Sequence, residues 1–283
     1  MNKELETAIM TAADLPTIPI VAIKVMQLIE SEKANAEELA KIVASDPAVA
    51  ARVLKISNSS FYGCQRQIQT LSSAIVVLGF STLRSLVVAA SVKQVYRPYG
   101  LTEKMLWEHS FAAGLAARII ATQTRVANEE EAFLAGLFHD IGKIIMNTLD
   151  RGKFQEVMQH CYNEGISFGE AEKSVYPFSH EEVGAYVIRK WNLPDTLSTA
   201  ILQHHRMEFG IEDPPAQVAL TAVASLADLF CLKLGIGSRV PQYNLDLADS
   251  KAGRLLNLSP ETVAAALETF RTAFEKDHAL FMG

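Results

Sequence analysis

Apolar residues recur at spacings of three and four along most of the chain, which predicts helices nearly throughout. Trp107, Phe111, Leu115 and Ile119 follow one another every four positions and so share one face of a long helix. Phe133, Leu134, Leu137, Phe138, Ile141, Ile144 and Ile145 form a similar stripe behind the acidic first turn Glu129-Glu130-Glu131. Ser45-Asp46-Pro47 offers a capping side chain and then a proline whose missing N–H costs nothing there. Val49, Val53, Leu54 and Ser57 follow it at helical spacing. Ser179 with Glu182 is a capping box for a helix running to Trp191, ahead of Pro194. Asp195 is expected to cap the next helix. Asp213-Pro214-Pro215 opens another from about Val218 to Leu234, and Ser259-Pro260 begins the last.

Strand signals are few. Ala74-Ile75-Val76-Val77-Leu78 suits a buried strand or a short helix, and a run that short does not decide between them. Residues 235–250 are the most loop-like stretch, and no internal repeat is present. The pattern predicts an all-α chain forming one compact unit. Its parts are an N-terminal helical lobe over about 12–100, a second lobe over about 101–232 and a C-terminal helical extension over 233–283.

Composition narrows the class. With 283 residues, 49% hydrophobic and 20% charged, the chain has an ordinary globular balance that excludes disorder and collagen-like repeats. Its 26 Lys and Arg against 32 Asp and Glu leave a net charge of −6, which argues against nucleic acid as a bulk partner. Cys64, Cys161 and Cys231 are widely spaced, as free thiols in a reducing cytoplasm would be. The start MNKELETAIM lacks the apolar core of a signal peptide. No apolar run is expected to approach the roughly 18–20 residues that span a bilayer. A cytoplasmic protein with no membrane partner is therefore expected.

The histidines change the picture. His139 precedes Asp140 in FHDIGK, and His204 and His205 are adjacent in ILQHH. Neighbours on a helix diverge by about 100°, yet two imidazoles, or an imidazole and a carboxylate, can still reach one point beside it. His109 lies on the Trp107 helix, and His180 directly follows the Ser179 cap. Asp228, in SLADLF, is acidic within an otherwise apolar helix, so it needs a metal, a backbone group or an arginine if that face is buried. Neutral imidazole with carboxylate is a ligand mixture that suits Zn, Fe, Ni or Mn. His160 and His278 read as surface residues, Asn58-Ser59-Ser60 as a helix end and turn, and Arg84 and Lys93 as a solvated face.

The series His109, His139-Asp140, His180, His204-His205 and Asp228 resembles the ordered ligand series of the HD superfamily. More closely, residues 12 to 230 resemble the HDOD proteins, HD-related output domains of bacterial signalling systems. The matching blocks are LPTIP (15–19), SDPAVAARVLKISNSSFYG (45–63), AIVVLGFSTLRSLV (74–87), LWEHS (106–110), FLAGLFHDIGK (133–143), FSHEEVGAYVIRKWNLP (178–194) and AILQHH (200–205). The resemblance implies a compact helical fold whose second lobe carries one or two divalent transition metals (Fe, Mn, Ni or Zn). Its ligands would be His109, His139, Asp140, His180, His204, His205 and Asp228. Asp140 and Lys143 would be the catalytic pair if a phosphate ester is hydrolysed, with a bridging water as the attacking group.

The active cyclic-dinucleotide phosphodiesterases of the HD-GYP group carry a Gly-Tyr-Pro loop after the double histidine. This chain has RMEFGIEDPP there. Those enzymes can also use a carboxylate one turn before the first histidine, where this chain has Met105, while Glu108 is adjacent to His109 and poorly placed. The expectation is therefore a signalling or regulatory protein with a metal site, the alternative being a metal-dependent phosphohydrolase. A signalling protein and a small phosphate-containing ligand are the expected partners. Bound dications would reverse the local sign of an acidic protein and so admit a phosphate.

Overall fold

The computed structural model describes residues 19–29, 35–62, 67–96, 100–237 and 240–282. Residues 15–18 of the LPTIP block, Gly63 and Cys64 lie outside them. Among the described residues every regular element is helical, as the apolar spacing predicts. The first group is α1 (Ile20–Ile29), α2 (Ala36–Ala44), α3 (Pro47–Ser57), α4 (Leu71–Leu78) and α5 (Phe80–Val92). The ambiguous run at 74–78 is the body of α4: the Thr70 side chain caps its start, and Gly79 turns the chain away at φ +84°. Asp46 caps α3, and Asn58 ends it while bonding the backbone of Leu54 and Ile68 through its amide.

The second group is α6 (Leu101–Thr124), α7 (Glu129–Phe138), α8 (Ile141–Leu149), α9 (Arg151–Glu164), α10 (Phe168–Val175), α11 (His180–Lys190), α12 (Asp195–Gln203), α13 (Pro215–Leu234), α14 (Lys251–Leu255) and α15 (Pro260–Met282). α6 is its axis. Trp107, Phe111, Leu115 and Ile119 are all buried, and so are Ala112, Ala113, Ala116 and Ala117 on other faces, where small side chains let neighbours close in. α7, α13 and α15 pack around it.

Two apolar cores result, and α5 serves both. Leu83, Val87 and Ala90, one helical face, belong to the core of the first helices. Leu86, Ala89 and Val92, on another face, join the larger core. A helix apolar on all sides must be buried, and α5 forms the shared wall.

Four expectations are corrected. Asp195 is the first residue of α12 and does not cap it; Pro194 stands at the cap position with no side-chain bond. Asp213 accepts the Gly210 N–H, and α13 starts at Pro215 rather than near Val218. Lys93 is buried, not solvated: its ammonium donates to the Met282 carbonyl and lies over the Trp107 ring. The 20-residue helix α13 is long and apolar enough to cross a bilayer, against expectation, but two thirds of that stretch is buried in the core, which is what its apolarity serves.

Candidate metal centre

The stripe from Phe133 to Ile145 is broken at His139-Asp140, so the pair occupies a corner between α7 and α8 instead of a helix interior. Asp140 stands where it should cap α8, yet its carboxylate makes no cap bond because both oxygens face histidines. His204 and His205 lie in the turn after α12, His180 is the first residue of α11, and His109 and Asp228 project from α6 and α13. Corners and termini free the paired residues from the 100° divergence of a helix interior. Gly142 brings two of these elements together: a Cβ there would collide with the His180 carbonyl.

All seven residues converge in two groups that share Asp140. Its Oδ2 lies 3.4 Å from His139 Nε2 and 3.5 Å from His109 Nε2. Its Oδ1 lies 3.3 Å from His180 Nε2 and 3.7 Å from His204 Nε2. Asp228 Oδ1 closes the first group at 3.0 Å from His109 and 3.7 Å from His139. His205 joins the second, its ring centroid 4.0 Å from that of His204. All are buried except His205.

Four of the imidazoles are held by Nδ1. His109 bonds the Ile236 carbonyl at 3.1 Å, His139 that of Gly136 at 2.7 Å and His204 that of Ile201 at 2.6 Å. A carbonyl only accepts, so these Nδ1 atoms carry a proton and each ring turns its Nε2 to the cluster. His180 Nδ1 instead faces the carboxylate of Glu172. Asp140 Oδ1, His180 Nε2 and His204 Nε2 are buried without a hydrogen-bond partner. Buried polar atoms are rarely left so, and three aimed at one point form a donor set that fits a divalent cation.

The electrostatics agree. Burial disfavours a charge on His139, but Asp140 and then Asp228 outweigh it and raise its pKa to about 10. His180 is raised to about 9 against burial and Lys143 by its contacts with Asp140 and Glu172. Burial and the neighbouring imidazoles push His204 well down. Asp140 and Asp228 are held well below the usual carboxylate range by the histidines, Lys143 adding to the effect at Asp140, although burial opposes it.

Lys143, one turn into α8, donates to Asp140 Oδ2 at 2.5 Å and lies 4.9 Å from the Phe168 ring centre. Glu108 pairs with His278 on the surface, and His160 pairs with Glu164. The sequence reading missed Glu172 and Glu181, both buried beside His180, and the Ile236 carbonyl. A glutamate eight residues before a histidine carries no motif, and every residue has a carbonyl. The one available signal was GIG at 235–237: Gly237, at φ +67°, packs where a Cβ would strike His109.

Fold and site together define a helical protein of the HD type with an HDOD architecture. The family model described as HDOD domain matches residues 15–207, and the chain belongs to that family. Asp228 and Ile236 lie beyond the matched stretch. An HDOD domain protein with unknown function from Geobacter sulfurreducens has the same fold at a TM-score of 0.79 and 26% identity, over 96% of this chain and 98% of its own. A candidate phosphohydrolase from Shewanella amazonensis superposes at a TM-score of 0.72 with 20% identity, over 99% and 94%. A candidate signal transduction protein from Marinobacter aquaeolei does so at 0.76 and 20%, over 99% of this chain and 64% of its own. An uncharacterized protein of Treponema pallidum is 20% identical over 92% of the chain, which spans 51% of that relative's length.

Proposed function

We propose that this HDOD protein is a signalling or regulatory module whose seven-residue site would hold two divalent transition metals, one in each of the groups that share Asp140. The observation that carries the reading is the set of orphaned atoms on Asp140, His180 and His204, inside a cluster of which only His205 is exposed. A catalytic metal needs a position open to substrate. Ligands this buried favour a metal that organises the lobe, with output through a contact to a signalling protein. The absence of the Gly-Tyr-Pro loop supports the same choice. Asp140 would serve both sets of ligands, His109, His139 and Asp228 in one and His180, His204 and His205 in the other. Fe, Mn, Ni and Zn all suit these donors.

The second reading is a metal-dependent phosphohydrolase of the cytoplasm. Lys143 against Asp140 and the exposed His205 favour it, the first as a cation beside the shared carboxylate and the second as the site residue open to solvent. Cations there would supply Lewis acidity and offset phosphate charge; Lys143 would bind a phosphate oxygen, and Asp140 would keep its orientation. Elemental analysis of the purified chain is expected to find up to two transition metals, lost in the His139→Ala, Asp140→Ala double variant. No metal in protein expressed with Mn, Fe, Ni or Zn would defeat both readings. A phosphatase and phosphodiesterase panel with added Mn, Fe or Ni is expected to stay silent. Metal-dependent turnover lost in His139→Ala would instead establish the hydrolase.

A further inference from the structure

Glu172, in α10, is 1% exposed and belongs to no motif read from the sequence. Its Oε2 accepts the main-chain N–H of His180 at 2.9 Å, and its oxygens lie 3.0 and 3.1 Å from His180 Nδ1. That N–H opens α11, so it has no partner within the helix, and the positive helix end favours a carboxylate beside it. One buried carboxylate therefore grips both the backbone and the ring of a single histidine. The Glu181 Oε2 adds a second buried oxygen 3.5 Å from the same Nδ1, without a hydrogen bond.

The two halves of the centre consequently differ. His109, His139 and His204 are backed by neutral carbonyls, His180 by a charge. In the half with Asp228, the donors lean on each other: His109 Nε2 is 3.0 Å from Asp228 Oδ1 and 3.2 Å from His139 Nε2. In the other half, Asp140 Oδ1, His180 Nε2 and His204 Nε2 have no hydrogen-bond partner. His180 and His204 Nε2 stand 3.3 and 3.7 Å from Asp140 Oδ1, looser than the 3.0 Å contact of His109 with Asp228, so this half has room for a cation among its donors, and a carboxylate behind an imidazole strengthens it as a ligand. Resting on the two-cation reading above, we propose that Glu172 is a positioning residue for His180 whose charge makes the Asp140, His180, His204 and His205 half the first to take up a divalent cation.

Calorimetric titration of the metal-stripped full chain with manganese chloride tests this. The wild type is expected to bind two ions in two steps. Glu172→Gln, nearly the same shape without the charge, should weaken the tighter step about tenfold or more and leave the weaker one within about twofold. Glu172→Asp keeps the charge and should retain most of the tighter constant. His109→Ala leaves Glu172 untouched and disables the other half, so it should keep the tighter step and lose the weaker. An unchanged tighter constant in Glu172→Gln overturns the proposal, as does an equal loss at both steps, which is what a merely structural role would produce. Loss of the tighter step in His109→Ala overturns it as well. Wild-type protein that binds no manganese defeats the two-cation reading itself, a distinct result.

Discussion

Asp140 is the residue on which the centre turns, because one carboxylate is shared between two sets of imidazoles. Asp140→Asn keeps the shape and removes the charge, and it should abolish binding in both halves, whereas His205→Ala, at the exposed edge, should weaken one. Elemental analysis of the two variants separates these outcomes. The same carboxylate sets the behaviour of the metal-free protein with pH. His139 and His180 rise to about 10 and about 9 from the ordinary 6.5. A folded-state pKa above the unfolded one contributes stability that is complete below about pH 6.5 and lost as pH climbs through 9 and 10. The thermal midpoint of the metal-stripped chain should therefore fall between pH 7.5 and 10.5 by more than that of the metal-loaded chain, in which cations replace those protons. Equal slopes would contradict this. Acid acts the other way on the loaded form: imidazoles protonate below about pH 6 and release metal, so full occupancy at pH 4.5 would count against these ligands.

At the scale of elements, the site depends on how closely helices approach and on where they stop. Gly142→Ala would push α8 from the start of α11, moving Asp140 from His180. It should cost metal affinity as well as stability, in the range of about 1–3 kcal/mol for overpacking, measured by titration and by denaturant unfolding. A second joint ties α5 to α6 and α7. Arg118 on α6 pairs with the buried Glu130 of α7 at 2.9 Å and lies over the rings of Phe61 and Tyr62, while Thr82 of α5 donates to the same carboxylate. Arg118→Ala leaves that carboxylate short of its cation and should cost about 3–5 kcal/mol, partly recovered when Glu130→Gln is added. Helix faces such as Trp107 to Ile119 were legible because burial writes a periodic pattern. The corner at His139-Asp140 was not, because its flanking apolar residues keep helical spacing on both sides of the break. The role of α10 was hidden too. Glu172 sits in a mostly polar helix, and only the packing of that helix on the start of α11 turns it toward His180.

Across the whole molecule, the proposed metal centre draws on six helices or their ends, α6, α7, α8, α11, α12 and α13, between His109 and Ile236, while the first core supplies none of its residues. The net charge of −6 gave no hint of this arrangement, since it does not register that Asp140, Glu172, Glu181 and Asp228 are all buried around one Lys143. Such a cluster is costly without cations, so the proposed metal binding and the stability of the larger core should be coupled. A ligand at about 100 times its dissociation constant adds about 2.7 kcal/mol. In domains of this order of size each kcal/mol is worth about 2–4 °C. Chelation should therefore lower the thermal midpoint by about 5–10 °C for each cation removed. The effect should also be local. α2 packs into the first core, and α3 does so apart from Ile56, which joins the larger one, while α10, α11 and α12 carry Glu172, His180 and the turn bearing His204. Hydrogen exchange of the full chain, with and without chelator, is expected to speed up amides of α10 to α12 and leave those of α2 and α3 unchanged. A uniform change across both cores would mean that they unfold as one cooperative unit and that the metal stabilises them together. No change in α10 to α12 would mean that the centre stays formed without cations, and the coupling argued from its buried charges would fail.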